Sequence, residues 1–157
     1  MNENKEMDSY MQLILSFAHV QKNMVRFIQK AAVEKGLSIP QYSILMTIIS
    51  CKEMTQKNIG EKTFLPKSTL SQAVDGLVKD GYLVRRQVAD NRRETLLALS
   101  PKGQELVEEL HLQEDGLHQV FKAASEQFTD EQVEELLQAH RKISGYLKEV
   151  ELEVETK

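Results

Sequence analysis

The chain has 157 residues, 41% hydrophobic and 28% charged, enough for one globular domain with a real core. No apolar run approaches a bilayer span, the polar start Met1-Asn2-Glu3-Asn4-Lys5-Glu6 is no secretory signal, and a lone Cys51 excludes an internal disulfide framework, so a cytoplasmic protein with no membrane partner is expected. The net charge of −4 hides a gradient: residues 52–103 carry ten basic and six acidic groups, whereas residues 104–157 carry five and fourteen, so only the middle of the chain suits a polyanion.

The first element is a long helix from Glu6 to Lys35. Its apolar residues Tyr10, Met11, Ile14, Phe17, Ala18, Met24, Val25 and Ile28 recur at three- and four-residue steps. Gly36 ends it, since glycine accepts the left-handed geometry after a last turn. Ser38-Ile39-Pro40-Gln41 reads as a capping box with proline in the first turn. It opens a strongly apolar second helix with Tyr42, Ile44, Leu45, Ile48 and Ile49. Thr55 opens a short helix through Lys62, Thr63-Phe64-Leu65 is a brief break, and Pro66 starts a further helix to Lys79. Tyr82 to Val88 and Glu94 to Leu99 are strands around a polar turn, Ala89-Asp90-Asn91-Arg92-Arg93, and a very short strand fits near Glu53-Met54. Ser100-Pro101 starts one helix carrying Leu106, Val107, Leu110, Leu117, Val120 and Phe121. Thr129-Asp130-Glu131-Gln132 is a second capping box, before a last helix with Val133, Leu136, Leu137, His140, Ile143, Tyr146, Leu147 and Val150 on one stripe.

Two short helices with a three-residue break, followed by a β-hairpin, make a winged helix-turn-helix. The expected fold is mainly α with a small β-hairpin, flanked by long N- and C-terminal dimerisation helices. In the Pro66–Lys79 helix, Leu70, Ala73, Val74, Leu77 and Val78 form the buried stripe. Lys67, Ser68, Ser71, Gln72 and Asp75 lie opposite, with Thr69 at the edge. Small hydroxyls allow close approach to a major groove and bond phosphates, while Gln72 suits a base edge. Arg85 and Arg86 on the first strand and Arg92 and Arg93 at the hairpin tip supply a second contact with double-stranded DNA. A tip arginine fits a narrow minor groove, where negative potential is strongest. Asp90 is expected to hold Arg92 by an ion pair, and Asn91 to supply the positive φ of a tight tip.

These residues carry a resemblance. The chain resembles the MarR family of bacterial winged helix-turn-helix regulators. The likeness rests on Gln41-Tyr42-Ser43-Ile44-Leu45, Thr55-Gln56-Lys57-Asn58-Ile59-Gly60, Lys67-Ser68-Thr69-Leu70-Ser71 and Leu77-Val78-Lys79-Asp80-Gly81-Tyr82-Leu83. Its most specific part is Asp90-Asn91-Arg92-Arg93 followed by Leu99-Ser100-Pro101-Lys102-Gly103, with Asn91 where the family commonly has proline. The resemblance implies a single MarR-type domain over residues 1–157, with the DNA-binding lobe at 37–100 and dimerisation helices at 1–36 and 101–157. It implies a homodimeric repressor of a near-palindromic operator, released by a small-molecule effector or an oxidant. Dimer contacts are expected from Tyr10, Ile14, Val133, Leu136, Leu137, Ile143 and Leu147. An effector pocket is expected beside Phe17, Tyr42 and Met46.

Other readings of the residues are weaker. An enzyme needs a nucleophile–base pair, a glycine-rich phosphate loop or a metal box, and the sequence has none, so no enzyme activity and no cofactor are expected. A helical adaptor explains the long helices but not a basic hairpin after a helix-turn-helix. His111, Glu114, Asp115 and His118 fall on one face of a continuous helix, which reads as a wet acidic face rather than a metal site. Cys51 reads as the inert, buried end of the second helix.

Overall fold

The computed structural model describes residues 2–156, leaving aside the side chains of residues 2–7 and of Arg92. The elements run α1 (Asn2–Glu34), α2 (Ile39–Ile48), β1 (Glu53–Thr55), α3 (Gln56–Thr63), α4 (Lys67–Lys79), β2 (Leu83–Val88), β3 (Asn91–Leu99), α5 (Pro101–Leu112), α6 (Leu117–Ser125) and α7 (Asp130–Glu155). The chain divides into two compact units, residues 1–118 and residues 119–157.

Local chemistry sets most boundaries. Gly36 and Gly81, at φ 66° and 81°, follow α1 and α4 in the left-handed geometry that a side chain resists. Ser38 and Gln41 close the expected capping box on α2, and Thr129 with Gln132 closes another on α7. The hydroxyls of Thr55 and Ser100 accept from Asn58 N and Gly103 N at the starts of α3 and α5. α4 differs: its N-cap is Pro66, and no side chain caps it.

In the first unit the core centres on α2, where Ile44, Leu45 and Ile48 are fully buried with Tyr42. Ile59 of α3, Leu70, Ala73, Val74 and Leu77 of α4, Leu83 and Leu97 of the sheet, and Leu106, Val107 and Leu110 of α5 complete it. Each belongs to the apolar stripe of its helix or the inward face of its strand. The sheet is antiparallel, in the order β1-β3-β2. The N-terminus of α5 packs very close to the sheet: a Cβ on Gly103 would lie 2.0 Å from the Tyr82 carbonyl oxygen. Polar ties join the ends of α1 and α5, with Lys35 on Glu109 at 2.7 Å and Lys30 on Asp115, in the turn after α5, at 2.5 Å. The hydrogen bond from Lys30 holds the Asp115 carboxyl below its usual range, and Asp115 in turn raises Lys30.

Three expectations need correction. The helix read as continuous from Pro101 through Phe121 breaks at Gln113–Gly116, so His111, Glu114, Asp115 and His118 do not share one helical face. Cys51 is exposed, because α2 ends at Ile48 and a turn carries the thiol outward. Among the described residues, positive φ outside glycine occurs only at Lys52 and Phe64, so Asn91 does not supply the tip's left-handed residue.

The second unit, taken alone, contains most of α6 and all of α7, and neither helix has a buried residue. Leu136, Leu137, Tyr146, Leu147, Val150, Leu152 and Val154 are exposed, while Val133 and Ile143 are half-buried. The N-terminal half of α1 is similar: Tyr10, Leu13, Ile14, Leu15, Phe17 and Val20 are all exposed. Among the described residues no helix is long and apolar enough to cross a membrane.

Candidate nucleic-acid interface

The outer face of α4 follows from its stripe. With Leu70, Ala73, Val74 and Leu77 turned inward, Lys67, Ser68, Gln72 and Asp75 are exposed, and Thr69 and Ser71 are half-buried at the edge. The missing side-chain cap leaves the first amides of α4 without an intramolecular side-chain partner. Four amides at a helix start lack intrahelical acceptors, and the dipole there favours an anion. Every other helix with a defined N-cap uses a Ser or Thr hydroxyl for this purpose.

The wing's geometry differs in detail from the sequence expectation. β2 and β3 pair with Leu83 opposite Leu99, Arg85 opposite Leu97 and Gln87 opposite Thr95. Val88 then already faces Asn91, so residues 92–94 bulge out of the ladder. The tight turn is Ala89-Asp90 alone, and the two arginines expected at the tip stand on β3. Asn91 acts through its side chain, its Oδ1 accepting from Arg93 N at 3.1 Å. The bulge thus aims Arg93 rather than the turn doing so. The expected Asp90–Arg92 pair falls outside the described side chains; Asp90 itself is exposed.

Cross-strand partners share a face. Arg85 therefore lies on the face of buried Leu97, toward α4, where its guanidinium pairs with the Asp75 carboxylate. This contact links wing to helix. Arg86 points to the other face and is exposed.

Between helix-turn-helix and wing runs a groove of about 630 Å³. It brings together Lys67 and Ser71 of α4 with Arg93 of β3, three of the expected residues. Gln56 and Lys57 of α3 and Thr95 of β3 also line it. Gln56 and Thr95 were not singled out in the sequence; only the pairing of β3 next to α3 reveals them. Lys67 and Arg93 place positive charge along this groove, with Glu61 and Glu94 at its walls.

The remaining expected residues are dispersed. Tyr42 is a core residue, and burial raises its phenol above the ordinary value. Met46 is half-buried and touches His118, whereas Phe17 is exposed on α1. Among the described residues no group of three or more His, Cys, Asp or Glu side chains is placed to hold a metal ion.

Comparison with known proteins sharpens the picture. Residues 35–94 match the sequence model of the MarR family. The HTH-type transcriptional repressor YetL of Bacillus subtilis (strain 168) is 24% identical over 124 residues, spanning 78% of this chain and 72% of that one. A crystal structure of overoxidized AbfR bound to DNA shares the fold with a TM-score of 0.65 at 22% identity, over 92% of this chain and 98% of that one. A crystal structure of NadR in complex with 4-hydroxyphenylacetate gives 0.71 at 16% identity, over 82% and 89%.

Proposed function

We propose, from the premise that this chain is a MarR-family winged helix-turn-helix protein, that it is a homodimeric transcriptional regulator that binds a near-palindromic operator as a repressor. The observation that carries this reading is the uncapped start of α4 beside a groove that joins Lys67, Ser71 and Arg93. A duplex backbone supplies what that arrangement lacks: an anion for the free amides and a polyanion along the groove. The relative YetL is named a transcriptional repressor, and AbfR was crystallised on DNA.

In this reading Lys67 and Ser68 meet phosphate at the start of α4, while Thr69, Ser71 and Gln72 face base edges. Arg92, Arg93 and Arg86 reach the flanking backbone or minor groove. Arg85, already paired with Asp75, fixes the wing against α4, and Asp90 orients the wing's turn. Residues 37–100 form the DNA-binding lobe, and residues 1–36 and 101–157 the dimerising part. Tyr10, Ile14, Val133, Leu136, Leu137, Ile143 and Leu147 bury against the second copy. The support is the apolar exposure of Tyr10, Ile14, Leu136, Leu137 and Leu147 in a single chain, which water penalises at roughly 25 cal/mol per Å². Two-fold symmetry then sets half-sites about 10 base pairs apart.

An effector that prefers one spacing of the two recognition helices would shift operator affinity. NadR's complex with 4-hydroxyphenylacetate makes phenolic acids the first class to screen, with Phe17 and Met46 as the residues to alter.

Footprinting on DNA upstream of the protein's own coding sequence tests the function. A protected near-palindrome whose protection disappears with Arg92→Ala/Arg93→Ala is the expected result. Absence of protection on any tested promoter contradicts it.

A further inference from the structure

The break between α5 and α6 creates a cluster that the proposed DNA interface does not use. In an unbroken helix, residues 111 and 118 would stand about 10.5 Å apart along the axis. The Gln113–Gly116 turn instead brings the two imidazole rings to 4.9 Å between centroids, inclined at 46°. The Nε2 of His118 also lies 3.0 Å from Sδ of Met46 on α2. His118 and Met46 are half-buried, and His111 is exposed, so the cluster is reachable from solvent. Asp115 in the same turn is held by Lys30.

Two imidazoles and a thioether form a soft, neutral donor set. Thioether sulfur selects Cu(I), while imidazole suits copper in general; zinc favours thiolate, imidazole and carboxylate. We propose that Met46, His111 and His118 form a Cu(I) site that bridges α2 and the α5–α6 junction.

Between His118 and Met46 the spacing is close to what such an ion needs. Bonds of about 2.0 Å to nitrogen and 2.3 Å to sulfur, as for the equally d¹⁰ Zn(II), put the two donors about 3.7 Å apart in a trigonal site. The 3.0 Å contact widens to that by a turn of the Met46 side chain, which has three rotatable bonds. No electron is transferred: the ion enters and leaves as Cu(I).

The test uses the full chain carrying Cys51→Ser, because the exposed Cys51 thiol would itself capture Cu(I). Titrated anaerobically against the Cu(I)–bicinchoninate complex, this protein is expected to withdraw one Cu(I) per chain. Met46→Leu conserves volume, and His111→Ala alters an exposed position, so both variants keep the fold. Each is expected to weaken binding by about tenfold or more, since even outer-shell partners are worth that much. In methyl NMR, the Met46 resonance is the methionine signal expected to move on Cu(I) addition. Failure to withdraw Cu(I), or an affinity that neither variant changes, overturns the proposal. A shift confined to other methionines overturns it as well.

Discussion

The lobe built from α2 to α5 and the helix α7 use similar proportions of apolar residues to opposite ends. In the lobe, Ile44, Leu45, Ile48, Val74 and Leu77 disappear from solvent within one chain. In α7, Leu136, Leu137 and Leu147 keep between 44% and 63% of their surface exposed. Both follow a helical stripe, so periodicity alone does not distinguish them. What differs is the extent of burial. The lobe buries its apolar residues within one chain, whereas those of α7 stay exposed, as the proposed dimer requires.

The largest effect expected from this contrast concerns α7. Leu136→Glu/Leu137→Glu/Leu147→Glu should convert the proposed dimer to monomers in sedimentation velocity while the lobe stays folded by circular dichroism. A dimer of unaltered mass would place the interface elsewhere. Next in size is the lobe's core. Ile48→Ala, at a fully buried position, should cost about 2–5 kcal/mol in denaturant unfolding; a loss under about 1 kcal/mol would mean that α2 is not the centre of the core.

A smaller effect concerns the link between wing and helix. Asp75→Asn releases Arg85 and removes a negative charge from the outer face of α4. Binding to random duplex should rise while binding to the operator falls, so the ratio of the two drops several-fold in competition titrations. An unchanged ratio would show that the ion pair does not orient the wing. The smallest effect is expected at Asp115. Its carboxyl is lowered by Lys30, so its contribution to stability is present above the ordinary carboxylate pKa and is lost as pH falls through the depressed value. Asp115→Asn should therefore lower Tm slightly at neutral pH and not at all in strong acid. The pair is exposed on both sides, which keeps the difference small.

The sequence revealed features whose causes are local. Ser38 with Gln41 and Thr129 with Gln132 are caps readable three residues at a time, and both formed. The stripe of α4 and the order of elements through the wing were legible for the same reason. The break before α6 was not: Leu110 and Leu117 are seven residues apart, so the apolar period runs in phase across it. Gly116 was the only local hint. The Arg85–Asp75 pair and the 92–94 bulge depend on register between strands, which a single sequence does not specify. Cys51 was misplaced because α2 ends three residues earlier than its apolar run suggested.

The central claim is that two copies of the basic lobe hold one duplex through the α4–β3 groove. It is tested most directly by the slope of log affinity against log salt for an operator duplex, measured for the wild type and for Arg93→Ala. The claim predicts a steep negative slope that becomes shallower by about one for each lost phosphate contact, hence by about two for a dimer. An identical slope for both proteins, or no duplex binding by either at low salt, would contradict it.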